Sequence, residues 1–158
     1  MKIYNTQVVL REFPDEITLA LNISNCPNRC KGCHSPYLQE DQGVVVYEDI
    51  LDSLIESNPG ISCVGFMGGD ASVDEVVQFA KHVRDKYGLK TGWYSGKDYI
   101  PNTDILNYFD YIKYGHYDEQ CGPLDSPKTN QVMIRIEHDP LKIEVITHKF
   151  NRELSDVK

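Results

Sequence analysis

A chain of 158 residues with 41% hydrophobic and 25% charged side chains has the composition of an ordinary globular domain and the length for one packed core, which excludes the disordered and fibrous classes. Its net charge of -8 disfavours a nucleic-acid backbone as main partner, because phosphate contacts need clustered Lys and Arg. No apolar run approaches the roughly 18–20 residues that cross a bilayer, and no basic stretch with an apolar segment and cleavage site opens the chain. A soluble, cytoplasmic protein without a membrane partner is expected.

Residues 1–158 read as a single domain, with neither repeats nor a low-complexity linker. Ile17-Thr18-Leu19-Ala20-Leu21-Asn22-Ile23 alternates apolar and polar side chains and stops at Ser24-Asn25, which predicts a strand delivering the chain to a loop. Ile50, Leu51, Leu54 and Ile55 form one helical stripe between Tyr47 and Asn58, ended by Pro59-Gly60. Ile61 to Met67 is a buried strand. After Gly68-Gly69-Asp70, Ser72 and Glu75 have the spacing of a capping box for a helix reaching Tyr87, with Val76, Phe79, Ala80 and Val83 inward. Gly88 closes that helix and Leu89 to Tyr94 resumes a strand. A short helix over Asn102 to Phe109 and a strand Tyr111 to Tyr114 follow. Gly115 to Asn130 is a long polar loop, the kind that is functional or mobile. Val132 to Ile136 and Ile143 to Thr147 pair as a hairpin around His138-Asp139-Pro140.

This is βα alternation, and it predicts an α/β fold. Parallel strands joined by helices bring their C-terminal ends to one edge, where ligands bind in open sheets and barrels alike. The chain is too short for a complete eight-stranded barrel, which takes about 250 residues. The expected architecture is therefore a partial (β/α) barrel or an open, curved, mostly parallel sheet.

Of the five cysteines, Cys26, Cys30 and Cys33 sit within one loop, a crowding that suits metal or redox chemistry in a reducing compartment better than a disulfide framework. Soft thiolates select zinc, copper(I) or iron–sulfur clusters. A four-iron cluster held by three cysteines keeps one iron open to a substrate or cofactor. Structural zinc would need a fourth ligand, and His34, adjacent to Cys33, is poorly placed to supply it. A thioredoxin-like dithiol at Cys30 and Cys33 leaves Cys26 unexplained. Cys63, mid-strand, reads as a small buried hydrophobe; Cys121 lies in the long loop without ligand spacing. His82, His116, His138 and His148 show no metal-like spacing either. Gly68-Gly69-Asp70, taken alone, is a tight turn whose glycines can adopt positive φ and let backbone groups approach a ligand.

The Cys-x3-Cys-x2-Cys spacing after a strand resembles the signature of the radical S-adenosylmethionine enzymes. Gly32, where many members carry an aromatic residue, makes Lys31-Gly32-Cys33-His34 resemble the Pro-Gly-Cys form of the activases of anaerobic (class III) ribonucleoside-triphosphate reductase. Gly92-Trp93-Tyr94-Ser95-Gly96, Asp110 to Gly115 and Thr129-Asn130-Gln131 resemble later stretches of that subgroup. The likeness runs from about Leu21 to Gln131.

The resemblance implies a radical-SAM type fold and a 4Fe-4S cluster held by Cys26, Cys30 and Cys33. It also implies reductive cleavage of S-adenosyl-L-methionine to a 5'-deoxyadenosyl radical, and transfer of that radical to a glycine of the reductase. Gly68, Gly69 and Asp70 would receive the methionine end of the cofactor, with Ala71 where a proline is common. The backbone of Gly32, Cys33 and His34 would neighbour adenine, His34 adding a ring face or hydrogen bond or being an ordinary loop histidine. No side chain is assigned a catalytic role beyond these sites. The implied partners are the anaerobic reductase, met by the Gly115 to Gln131 loop, and an electron donor such as flavodoxin. Activation of another glycyl-radical enzyme such as a formate-lyase, a radical enzyme acting on purine-like bases, and a non-catalytic iron–sulfur redox protein are the alternatives.

Overall fold

The structure is a computed structural model that describes residues 1–151. Its strands are β1 (Lys2–Val9), β2 (Thr18–Ile23), β3 (Val44–Val45), β4 (Cys63–Met67), β5 (Lys90–Tyr94), β6 (Tyr111–Tyr114), β7 (Val132–Glu137) and β8 (Lys142–Val145). Two α-helices join them, α1 (Glu48–Glu56) and α2 (Val73–Tyr87), with short 3-10 turns at Pro36–Gln39, Thr103–Tyr108 and Thr147–Phe150. No helix among the described residues is long and apolar enough to cross a membrane.

The expectation of a radical-SAM type partial barrel or a mostly parallel curved sheet is overturned. The strands form one mixed, eight-stranded sheet in the order β3-β1-β2-β4-β5-β6-β7-β8. Pairing is parallel for β2–β4, β4–β5 and β5–β6. It is antiparallel for β1–β2, β1–β3, β6–β7 and β7–β8. The physical reason is connection length. A parallel pair needs a crossover of a dozen or more residues, and the segments carrying α1, α2 and the Thr103–Tyr108 turn supply them. The β1–β2 and β7–β8 connections are short and fold back as hairpins, and the long loop over 115–131, which carries no helix to cross the sheet, returns β7 antiparallel beside β6. Strand β1, KIYNTQVV, has only Ile3 fully buried, so it lacks the apolar alternation that would have announced it.

Both helices cover the same sheet face. Val76, Phe79, Ala80 and Val83 of α2 and Leu51 and Ile55 of α1 pack with Leu19, Leu21, Val64, Phe66, Trp93 and Ile112 in one core. These strand residues fall on one face because they are in register: Leu21 pairs with Phe66, Phe66 with Trp93, and Trp93 with Ile112. Gly88 ends α2 in the left-handed region at φ 63°, and its N–H donates to Arg84 O. The capping box does not form: Ser72 makes no side-chain cap hydrogen bond, and Glu75 accepts instead from the Met1 amino group.

The opposite face divides into a plugged half and an open half. The β1–β2 connection lays Phe13 over Gly65 and Gly92, so close that a Cβ on Gly92 would stand 2.3 Å from the ring. Phe13, Cys63, Tyr111, Met133 and Ile146 form a second, smaller core there. Tyr94 OH, donating to Glu12 O at 2.7 Å, anchors the connection. Beyond Phe13, toward the C-terminal ends of the parallel strands, Asn22, Met67, Tyr94 and Lys113 stand in one cross-strand row. That row floors a cavity beside the loop after β2.

Candidate functional site

The cavity has a volume of about 340 Å³, near the lower end of the ~300–1,000 Å³ usual for ligand sites. It is closed on one side by the loop after β2. That loop turns back on itself because Cys26 N donates to Leu38 O at 2.9 Å, Asn25 N to Glu40 O at 3.1 Å, and Leu38 is buried beneath it. Asn25, Arg29 and Gly32 take positive φ of 61°, 45° and 73°, which coils the loop tightly enough to turn its thiols the same way. Cys26, Cys30 and Cys33, none in a disulfide and each half-buried, all line the cavity.

Two of the three sulfurs have an N–H donor nearby. Ser35 N lies 3.4 Å from Cys33 Sγ, and Asn28 Nδ2 lies 3.6 Å from Cys26 Sγ. No group of three or more His, Cys, Asp or Glu among the described residues is arranged to hold a single metal ion. A four-iron cluster is a different demand, since each cysteine binds its own iron at a separate corner. Three free thiols opening on one cavity fit that donor set.

Gly68-Gly69-Asp70 reaches the same cavity from the end of β4. Gly68 and Gly69 take φ of 107° and 96°, and Trp93 Nε1 donates to Gly68 O at 2.8 Å. The Asp70 carboxylate is a junction: Oδ2 accepts from Asn28 Nδ2 at 2.6 Å and from Gly96 N at 2.8 Å, and Oδ1 accepts from Ser95 Oγ at 2.6 Å. It therefore ties the cysteine loop to the turn after β5.

Of the residues singled out from sequence, Cys26, Cys30, Cys33, Gly68 and Asp70 line the cavity, whereas Gly32, His34 and Gly69 do not. Gly32 faces Glu119, whose Oε1 would lie 2.0 Å from a Cβ there. The His34 ring meets Tyr117 edge-on with centroids 4.9 Å apart. Gly69 backs onto Val76. Tyr117 and Glu119 bring the long loop after β6 against the cysteine loop, and Tyr117, Gly115 and Gln131 line the cavity themselves.

Cys63 is fully buried in the second core, where burial pushes its thiol well above the usual range. Cys121 is half-buried, its thiol also raised by burial and by nearby Asp118. Neither lines the cavity. His82 bonds Asp52 at 2.7 Å, and His116 bonds Asp98 at 2.7 Å; each ring is engaged by a carboxylate.

Sequence reasoning assigned no role to Asn28, Ser95 or Lys113. The signal for Lys113 was a charged residue in an otherwise apolar strand, Tyr111-Ile112-Lys113-Tyr114, next to the ligand-bearing edge. Asn28 gave none beyond its place between two cysteines.

Comparison with curated proteins and with solved structures returns no match. A family model described as a 4Fe-4S single cluster domain matches residues 17–131, a span that opens at β2, carries all three loop cysteines and Asp70, and closes where the long loop meets β7. An iron–sulfur protein is what such a site builds, and the chain belongs to the 4Fe-4S single cluster domain family.

Proposed function

We infer that this protein is a radical S-adenosylmethionine activase, whose cluster sits on Cys26, Cys30 and Cys33 and whose target is a glycine of anaerobic ribonucleotide reductase. The observation that carries the reading is the meeting of three loop cysteines with Asp70 and Gly68 in one cavity at the C-terminal edge of the parallel strands. An electron carrier needs no ligand space beside its cluster, whereas a cofactor-cleaving enzyme does.

When bound, cluster and S-adenosyl-L-methionine together supply a one-electron reductive cleavage of a carbon–sulfur bond. The chain's own residues hold and enclose. The Asp70 carboxylate, fixed by Asn28, Ser95 and Gly96, and Gly68 beside it would face the cofactor's methionine end, and Cys33, the member of Gly32-Cys33-His34 that lines the cavity, would stand nearest the adenine. Met67 and the Tyr94 ring give the floor an apolar surface that limits water. The Gly115 to Gln131 loop, held to the cysteine loop by Tyr117 and Glu119, is the surface a partner chain would cover.

The test is anoxic reconstitution with iron and sulfide, reduction with dithionite and addition of S-adenosyl-L-methionine. Release of 5'-deoxyadenosine is expected, followed by a glycyl-radical signal in electron paramagnetic resonance on adding the anaerobic reductase. A reduced cluster that never cleaves the cofactor would make the protein a non-catalytic redox protein. A radical formed only on a formate-lyase-type partner would reassign the target.

A further inference from the structure

Lys113 is the one charged side chain of β6, and it is 8% exposed. Its Nζ donates to Ser95 O at 3.1 Å and stands 5.6 Å from the centre of the Tyr94 ring. The ion pairs among the described residues do not include it. A buried ammonium with one neutral acceptor and a ring face is costly, since desolvation of a charge is recovered only by close opposite charge.

The surroundings show where that opposite charge arises. Burial holds the ammonium down to about 8, against the pull of Asp70 and then of Cys30, Cys26 and Cys33. Asp70 is already occupied by Asn28, Ser95 and Gly96. The three cysteine sulfurs have at most one long N–H contact each, and Lys113 lines the same cavity as all three, so a cluster bound there would bring its negative charge to the ammonium.

We propose that Lys113 is the buried counter-charge of the iron–sulfur site, a positioning residue that sets its reduction potential. The proposal rests on the assignment of Cys26, Cys30 and Cys33 as cluster ligands, and not on the radical chemistry. On reduction the site accepts one electron from a low-potential one-electron donor and no proton; no bond forms or breaks, and its negative charge rises by one. A fixed positive charge in a low-dielectric wall favours that change, because net charge, hydrogen bonds to the sulfurs and exposure govern such potentials.

The experiment is a redox titration of the full-length reconstituted protein, followed by electron paramagnetic resonance, for the parent chain, Lys113→Gln and Lys113→Arg. Lys113→Gln keeps a donor for Ser95 O and drops the charge; Lys113→Arg keeps the charge. The expected result is a tenfold less favourable reduction in Lys113→Gln, about 59 mV downward for one electron. Lys113→Arg should stay within about twofold of the parent. An unchanged potential in Lys113→Gln, or equal shifts in both variants, overturns the proposal. If Lys113→Gln assembles no cluster, loading of Lys113→Arg decides: normal loading supports a need for the charge, and failure of both makes Lys113 structural. A parent chain whose signal survives Cys30→Ala would overturn the ligand assignment separately.

Discussion

Asn28 Nδ2 donates to Asp70 Oδ2 at 2.6 Å, linking two residues 42 positions apart and joining the cysteine loop to the turn after β4. The same amide group lies 3.6 Å from Cys26 Sγ. A hydrogen bond to a carboxylate is worth about 1.5–3 kcal/mol, so Asn28→Ala should weaken S-adenosyl-L-methionine binding about tenfold or more by loosening Asp70. Cluster absorbance should survive. Equilibrium binding by calorimetry, beside the visible spectrum, reads both.

Asp70→Ala removes the acceptor of all three donors at once. Cofactor binding is expected to fall further than in Asn28→Ala while the visible cluster absorbance remains. Loss of the absorbance itself would give Asp70 a folding role in its place.

The five cysteines should separate by cavity. Cys30→Ala or Cys33→Ala should abolish cluster retention and cofactor cleavage together, whereas Cys63→Ala and Cys121→Ala should leave both. Iron and acid-labile sulfide analysis of each variant checks this, and equal losses at all five positions would refute the assignment.

Gly32 is held at φ 73° beneath Glu119. Gly32→Ala meets both a left-handed conformation that disfavours a Cβ and a carboxylate in its space, and should cost about 1–3 kcal/mol. Adding Glu119→Ala should recover the steric part and leave the conformational part. Urea midpoints of the two variants and their combination measure the split.

Asp52 sets an acid limit on stability. Burial pushes its carboxyl up, but hydrogen bonds from Lys86 and His82 outweigh that and bring it down from 3.8 to about 2. A carboxyl depressed in the folded state contributes stability that is full above its unfolded value and is lost as pH falls through the folded value. Between about pH 4 and pH 2 the slope of stability against pH should therefore be shallower in Asp52→Asn than in the parent. Thermal melts across that window test it.

Much of the site was legible because its chemistry is local. Three cysteines in one short loop are a statement about ligand type and number that no tertiary arrangement is needed to make, and Gly68-Gly69-Asp70 announced a turn between a strand and a helix. The strands of the parallel centre and both α-helices were equally open to view, since each buries a continuous apolar face. The flanks were not. Strand β1 shows its polar residues to solvent on an edge region, and nothing in KIYNTQVV distinguishes a hairpin partner of β2 from a loop, so the mixed sheet was mistaken for a mostly parallel one.

What the amino-acid sequence determined by itself is the cysteine loop, the amphipathic helices and the order of the central elements, because these depend on residues within a few positions of one another. Only the tertiary structure decided that Phe13 plugs one half of the open face and leaves the other as a cavity. It also decided that Asn28 and Ser95 converge on Asp70, and that Lys113 lines the same cavity as the three thiols. Such relationships are set by strand register and sheet order. A side chain's neighbours across a sheet lie tens of residues away, and pairing one residue out of step would turn every one of them to the other face.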